Sequence, residues 1–87
     1  LLGGLEEEIS RLEAHRRSLA KNMAERVNEL QRQIELIEMF LAKLELRNVG
    51  REVNEETYNS QKEALTRGLE ATKAELKQIE DALEKIR

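Results

Sequence analysis

Apolar residues recur at alternating intervals of three and four along two stretches of this chain. Val27, Leu30, Ile34, Ile37, Leu41 and Leu44 make the first ladder, and Tyr58, Leu65, Leu69, Leu76, Ile79, Leu83 and Ile86 make the second, with Lys62 and Thr72 on the same spacing. Side chains spaced this way line one stripe of a helix and form the seam of a coiled coil. Between the ladders, Asn48-Val49-Gly50 is a helix stop, with Gly50 suited to the left-handed conformation that satisfies the last carbonyls. Asn54 then caps a new helix, Glu55 and Glu56 suit its positive end, and Val53 is placed to staple onto Tyr58. Gly3 and Gly4 disfavour helix at the start. The pattern therefore predicts a single domain over residues 1–87, with a helix over 5–48, a turn over 49–54 and a helix over 55–87.

A short turn between two long amphipathic helices makes them antiparallel neighbours. In that hairpin the residue numbers in facing layers total about 103, within half a heptad. The second helix then runs out opposite Arg16. An earlier stripe of Leu5, Ile9, Leu12, Arg16, Leu19 and Met23 joins the main ladder through a stutter, two four-residue steps that unwind the supercoil locally. Leu5, Ile9 and Leu12 are expected to project past the hairpin with nothing in the same molecule over them.

Beside the main seam, the first helix carries bulky Leu36, Met39, Phe40 and Leu46, whereas the second offers small Ala64, Gly68 and Ala71 at a similar level. Leu36 and Phe40 occupy flank positions on the same side as that small-residue trough. A ridge beside a trough is self-complementary about a two-fold axis. The expected fold is all-α, an antiparallel two-helix coiled-coil hairpin pairing into a four-helix homodimer. Its interface residues are Leu5, Ile9, Leu12, Leu36, Phe40, Ala64, Gly68 and Ala71.

Composition supports the long-helix class: of 87 residues, 38% are charged and 2% aromatic, with no proline, cysteine or tryptophan. A formal net charge of -3 supplies no basic field to draw the whole chain to nucleic acid or an anionic membrane. No apolar run approaches the roughly 20 residues that cross a bilayer. Because it opens Leu1-Leu2-Gly3-Gly4 without an initiating Met, the sequence is expected to be a piece of a longer protein. A cytoplasmic location is expected, with any membrane association supplied by the parent.

Candidate chemistry is sparse. One histidine and no cysteine remove the usual base, nucleophile and metal constellations, and the four glycines never form a phosphate-cradling loop. No enzyme activity, cofactor or metal is expected. Glu6-Glu7-Glu8 resembles a hard-cation cluster, but an acidic first helical turn explains it better. Arg11, His15, Arg16, Arg17 and Lys21 are opposed only by Glu13. Arg11, Arg16 and Arg17 could contact an anionic partner; a solvated face that pairs with glutamates of another copy is the preferred reading. No aromatic rings interleave these arginines, so single-stranded nucleic acid has no stacking platform. Arg16, Lys62 and Thr72 interrupt the ladders, and Thr72, the deepest, is the candidate for fixing register.

The break Gly50-Arg51-Glu52-Val53-Asn54-Glu55-Glu56-Thr57-Tyr58, set between heptad helices and followed by Gln78-Ile79-Glu80-Asp81-Ala82-Leu83, carries a family likeness. From Leu30 to Ile86 the chain resembles the coiled-coil domain of archaeal CdvA-type cell-division proteins. That resemblance implies the central oligomerisation module of a membrane-associated filament scaffold that recruits ESCRT-III-like subunits. It also implies an N-terminal β-barrel domain and a C-terminal recruitment peptide outside these residues. The residues themselves leave two functional classes open. One is a structural module that assembles with copies of itself; the other is a heteromeric adaptor whose Leu5, Ile9 and Leu12 stripe accepts a helix from a different protein.

Overall fold

The computed structural model describes residues 2–86, which form two α-helices, α1 (Leu2–Val49) and α2 (Glu55–Ile86). They pack side by side as an antiparallel hairpin, a rod measuring 75 × 14 × 14 Å. Both ladders face inward. Leu30, Leu44 and Leu83 are buried, and Val27, Ile34, Ile37, Leu41, Leu65, Leu69, Leu76, Ile79 and Ile86 are half-buried between the helices. In a two-helix rod each seam side chain is covered by only one neighbouring helix, which is why few disappear from solvent entirely.

The turn follows the capping chemistry with one displacement. Asn54 caps α2: its Oδ1 accepts the Thr57 N–H at 2.7 Å, and its carbonyl accepts the Tyr58 N–H at 2.9 Å. Val53 and Tyr58, the positions of a hydrophobic staple, are both half-buried. At the end of α1, however, Gly50 is not the left-handed residue. The Gly50 N–H still bonds the Leu46 carbonyl at 3.0 Å as a helical residue does, and the positive φ of 57° falls on Arg51. Arg51 N–H then bonds the Asn48 carbonyl at 3.1 Å and Glu52 N–H the Arg47 carbonyl at 2.8 Å. This is a Schellman closure built one residue later than the glycine suggested.

The other end also differs from expectation. Helix α1 begins at Leu2 and runs through Gly3 and Gly4 rather than starting at Leu5. Two glycines cost about 1 kcal/mol each within a helix, but long downstream propagation carries the first turn. As a consequence Glu6, Glu7 and Glu8 lie beyond the first turn, which holds no acidic residue. The helix dipole acts only over that first turn, so it does not account for the acidic run. Leu1 and Arg87, at the limits of the expected domain, lie outside the described residues.

Contacts across the seam show the facing layers. Tyr58 opposes Glu45, Arg26 opposes Glu75, and Ile37 opposes Gly68. The first pair lies on the expected register and the other two fall within half a heptad of it. Thr72 does not set this register. Its hydroxyl donates to the Gly68 carbonyl of its own helix at 2.7 Å, so the polar seam position is satisfied locally and selects no partner across the hairpin.

Candidate functional site

Two surfaces stand apart from the seam. The first is the overhang of α1. Every residue from 3 to 19 is exposed, and cover from α2 begins only at Ala20, where Ile86 ends the described part of the second helix. Leu5, Ile9 and Leu12 therefore stand 59%, 56% and 68% exposed, as the length difference between the helices required, and Leu19 joins them at 41%. Four large apolar groups on one stripe of a single helix form a surface that water covers at a cost.

Charges flank this stripe asymmetrically along its length. Glu6 to Glu8 come first, and Arg11, Arg16, Arg17 and Lys21 follow, interrupted by Glu13. Arg11 lies 3.8 Å from Glu7 on the same helix, and the Arg17 Nε donates to the Glu13 carbonyl at 3.5 Å. Such exposed contacts within one helix contribute little. Among the described residues Arg16 makes no ion pair, and no group of three or more metal-ligating side chains converges here or elsewhere.

The second surface lies toward the turn. Leu36, Met39 and Phe40 are 46–50% exposed on adjoining positions of α1. Phe40, Lys43 and Arg47 form one wall of an open groove of about 430 Å³ whose other wall is Gln61, Ala64 and Leu65 of α2. Of the ridge residues, Phe40 shares this groove with Ala64. Ala71 is exposed on the same helix, whereas Gly68 is half-buried and directed inward: a Cβ there would come 3.9 Å from Ile37 Cδ1. Part of the close approach that Gly68 permits is thus used by α1 itself.

On the opposite flank, Tyr58, Glu45 and Lys62 form a cluster that sequence patterning alone did not reveal. The Tyr58 hydroxyl donates to Glu45 Oε1 at 2.5 Å and accepts from Lys62 Nζ at 3.3 Å, while Lys62 Nζ lies 3.5 Å from Glu45 and 5.4 Å from the centre of the Tyr58 ring. The bond from Tyr58, and then the charge of Lys62, hold the Glu45 carboxyl below its ordinary range; the same hydroxyl and Glu45 raise Lys62. Arg26 bridges Glu29 and Glu75, each at 2.9 Å, and these two carboxylates raise its affinity for the proton further. The groups of each cluster are partly solvated and bonded to one another. They are fasteners of the hairpin.

A family comparison decides what kind of hairpin this is: the family model described as CdvA-like coiled-coil domain matches residues 3–87. The chain belongs to the CdvA-like coiled-coil domain family. The match extends well before Leu30, so the overhanging part of α1 belongs to the CdvA-like domain as much as the hairpin does. No curated protein and no solved structure matches the chain. An all-helical CdvA-like coiled coil points to a structural role, and no helix among the described residues is long and apolar enough to cross a membrane.

Proposed function

We propose that this CdvA-like hairpin is the self-assembly module of a cell-division scaffold. The observation that carries the reading is the α1 overhang, where Leu5, Ile9 and Leu12 each keep more than half of their surface in water. Burying a large aliphatic side chain is worth about 1.5–3 kcal/mol, so a stripe of four gives copies of the chain a strong reason to associate. The resulting homodimer contains four helices. Exposed Leu36, and Phe40, which lines the groove with Ala64, form with Gly68 and Ala71 a second, lateral contact through which pairs of chains stack toward filaments.

The setting proposed with this reading is the one that likeness to CdvA-type proteins implies, a filament at division that recruits ESCRT-III-like partners through parts of the parent protein outside this chain; the match to a CdvA-like coiled-coil domain supports the structural part of it. Membrane attachment likewise belongs to the parent. Light scattering coupled to size exclusion tests the assembly step. A mass of two chains of 10.1 kDa at micromolar concentration is the expected result. A single-chain mass across a hundredfold range of concentration would overturn the self-assembly reading and favour the adaptor role, in which the stripe waits for a helix of another protein.

A further inference from the structure

The overhang carries a charge order that does more than keep it in solution. Placing Leu5, Leu12 and Leu19 at heptad position d, with Ile9 and Arg16 at a, puts Glu8 and His15 at g and Glu6 and Glu13 at e, with Arg17 beside them at b. Flanking e and g charges set the orientation of a coiled coil. In a parallel, in-register pair, g of one helix meets the following e of the other, so Glu8 would face Glu13 on both sides. In an antiparallel pair like flanks meet. With the axis near Leu12, the midpoint of the stripe, Glu6 of each copy then faces Arg17 of the other and Glu8 faces His15; one carboxylate pair remains, Glu13 against Glu13 of the other copy, where the parallel pair has two.

Resting on the self-assembly reading above, we infer that the occupant of the overhang is the overhang of a second copy, laid antiparallel about a two-fold axis near Leu12. Space and length agree with this placement. The early stripe is continuous with the seam that α2 covers, and cover by α2 stops at Ala20. The partner's first turns fit into the vacated lane end to end with α2, so that α1 is paired along its whole length, first with its own α2 and then with the partner. The stutter at Leu19, Met23 and Val27 coincides with the change of partner, where a local unwinding lets one helix end and another begin. The acidic run of Glu6 to Glu8, which the helix dipole leaves unexplained, becomes one half of this contact. The product is a tail-to-tail rod two helices thick and about 125 Å long, since two rods share only about 22 Å of overhang.

X-ray scattering with light scattering on the 87-residue chain tests the geometry, and two charge variants test the orientation. The expected particle has two chains and a maximum dimension near 125 Å. Glu6→Arg with Glu8→Arg, and separately Arg16→Glu with Arg17→Glu, should each weaken self-association about tenfold, and mixing the two variants should restore it. All four positions are exposed, so each hairpin keeps its own seam; circular dichroism checks that it does. A two-chain particle no longer than the 75 Å of one hairpin would overturn the tail-to-tail geometry while leaving self-assembly standing. Tighter association of the Glu6→Arg, Glu8→Arg variant would also overturn it, because a guanidinium at position 8 favours a parallel pair by facing Glu13 there. A single-chain mass throughout would remove both this inference and the reading on which it rests.

Discussion

Arg26 Nη2 and Glu75 Oε1 meet at 2.9 Å across the hairpin, a pair separated by 49 positions in the chain and shared with Glu29 one turn along α1. It fastens the half of the rod farthest from the turn. Both side chains keep about two fifths of their surface in water, so their worth lies in register more than in stability. Glu75→Arg alone should lower the urea midpoint, because the new guanidinium would repel that of Arg26. Adding Arg26→Glu should restore part of the loss. Equal midpoints for the single and double variants would mean that the pair does not form in solution.

Within the seam, the burial gradient orders the cost of truncation. Leu30 has no exposed surface, and Leu41 is only half-covered. Leu30→Ala should therefore cost about 2–5 kcal/mol, and Leu41→Ala about 1–2 kcal/mol. Leu12→Ala belongs to a different class, since nothing in the same chain covers Leu12. It should leave the hairpin's unfolding unchanged under dilute conditions while lowering the mass seen by light scattering. Urea denaturation at one fixed, low concentration separates the two classes, and a large loss for Leu12→Ala there would place α2 over the overhang.

Much of this arrangement was legible in the sequence, and the reasons differ by residue. The ladders gave helix number and antiparallel pairing, and register to within half a heptad, because the positions of each ladder repeat one alternation of three and four. Asn54 was legible because a capping side chain acts on its immediate neighbours. The overhang followed from the unequal lengths of the ladders. Local rules failed where longer-range cooperativity decided the outcome. Gly3 and Gly4 stayed helical because a 48-residue helix carries its own first turn, and Gly50 kept a helix-type N–H bond because α1 continued one residue past the expected stop, to Val49. Thr72 marked a polar interruption correctly, but spacing cannot tell whether a hydroxyl will bond across a seam or back along its own helix. The Tyr58, Glu45 and Lys62 cluster escaped for a similar reason, since it depends on side-chain reach across the hairpin.

The displaced cap makes a direct prediction. An arginine in the left-handed region costs about 1 kcal/mol that glycine does not incur, so Arg51→Gly should raise stability by about 1 kcal/mol. At position 50 a side chain should be tolerated, because the nearest atoms a Cβ there would meet, the Leu46 carbonyl oxygen at 3.5 Å and the Glu52 side chain at 3.8 Å, lie at ordinary van der Waals distance. Gly50→Ala should be neutral or slightly stabilising. Thermal melts of the two variants check both statements, and a lower melting temperature for Arg51→Gly would show that the arginine side chain contributes more than its backbone costs.

Protonation of Glu45 provides a pH test. Because Tyr58 and then Lys62 hold its folded pKa below the ordinary value, the stabilising contribution is complete above the unfolded carboxylate range, about 4.3, and is lost as pH falls through the lowered folded value. Lys62 has the opposite sign: its raised folded pKa contributes below the ordinary lysine range, and that contribution disappears as pH rises through the folded value. Tyr58→Phe removes the hydroxyl that is the leading cause of both shifts. Carboxylate NMR titration should show Glu45 moving up toward the ordinary range in this variant. An unchanged titration would mean that the short contact to Tyr58 is not maintained in solution.

Gly68 tests the lateral contact independently of the overhang. A glycine in the middle of a 32-residue helix costs about 1 kcal/mol relative to alanine, and a Cβ at this position would only touch Ile37 at ordinary van der Waals distance. Gly68→Ala should therefore stabilise the hairpin by about that amount without changing how chains assemble. Gly68→Leu also keeps good helix propensity, but its side chain extends beyond the space beside Ile37 and fills the trough between Ala64 and Ala71. If the Phe40 ridge of a neighbouring copy enters this trough, the leucine variant should stop at two chains in sedimentation velocity runs, whereas the parent and the alanine variant grow to larger species as concentration rises. Circular dichroism confirms that the leucine variant has kept its helices. Equal growth of all three would show that the ridge and trough are a solvated groove, leaving the overhang as the surface through which these hairpins join.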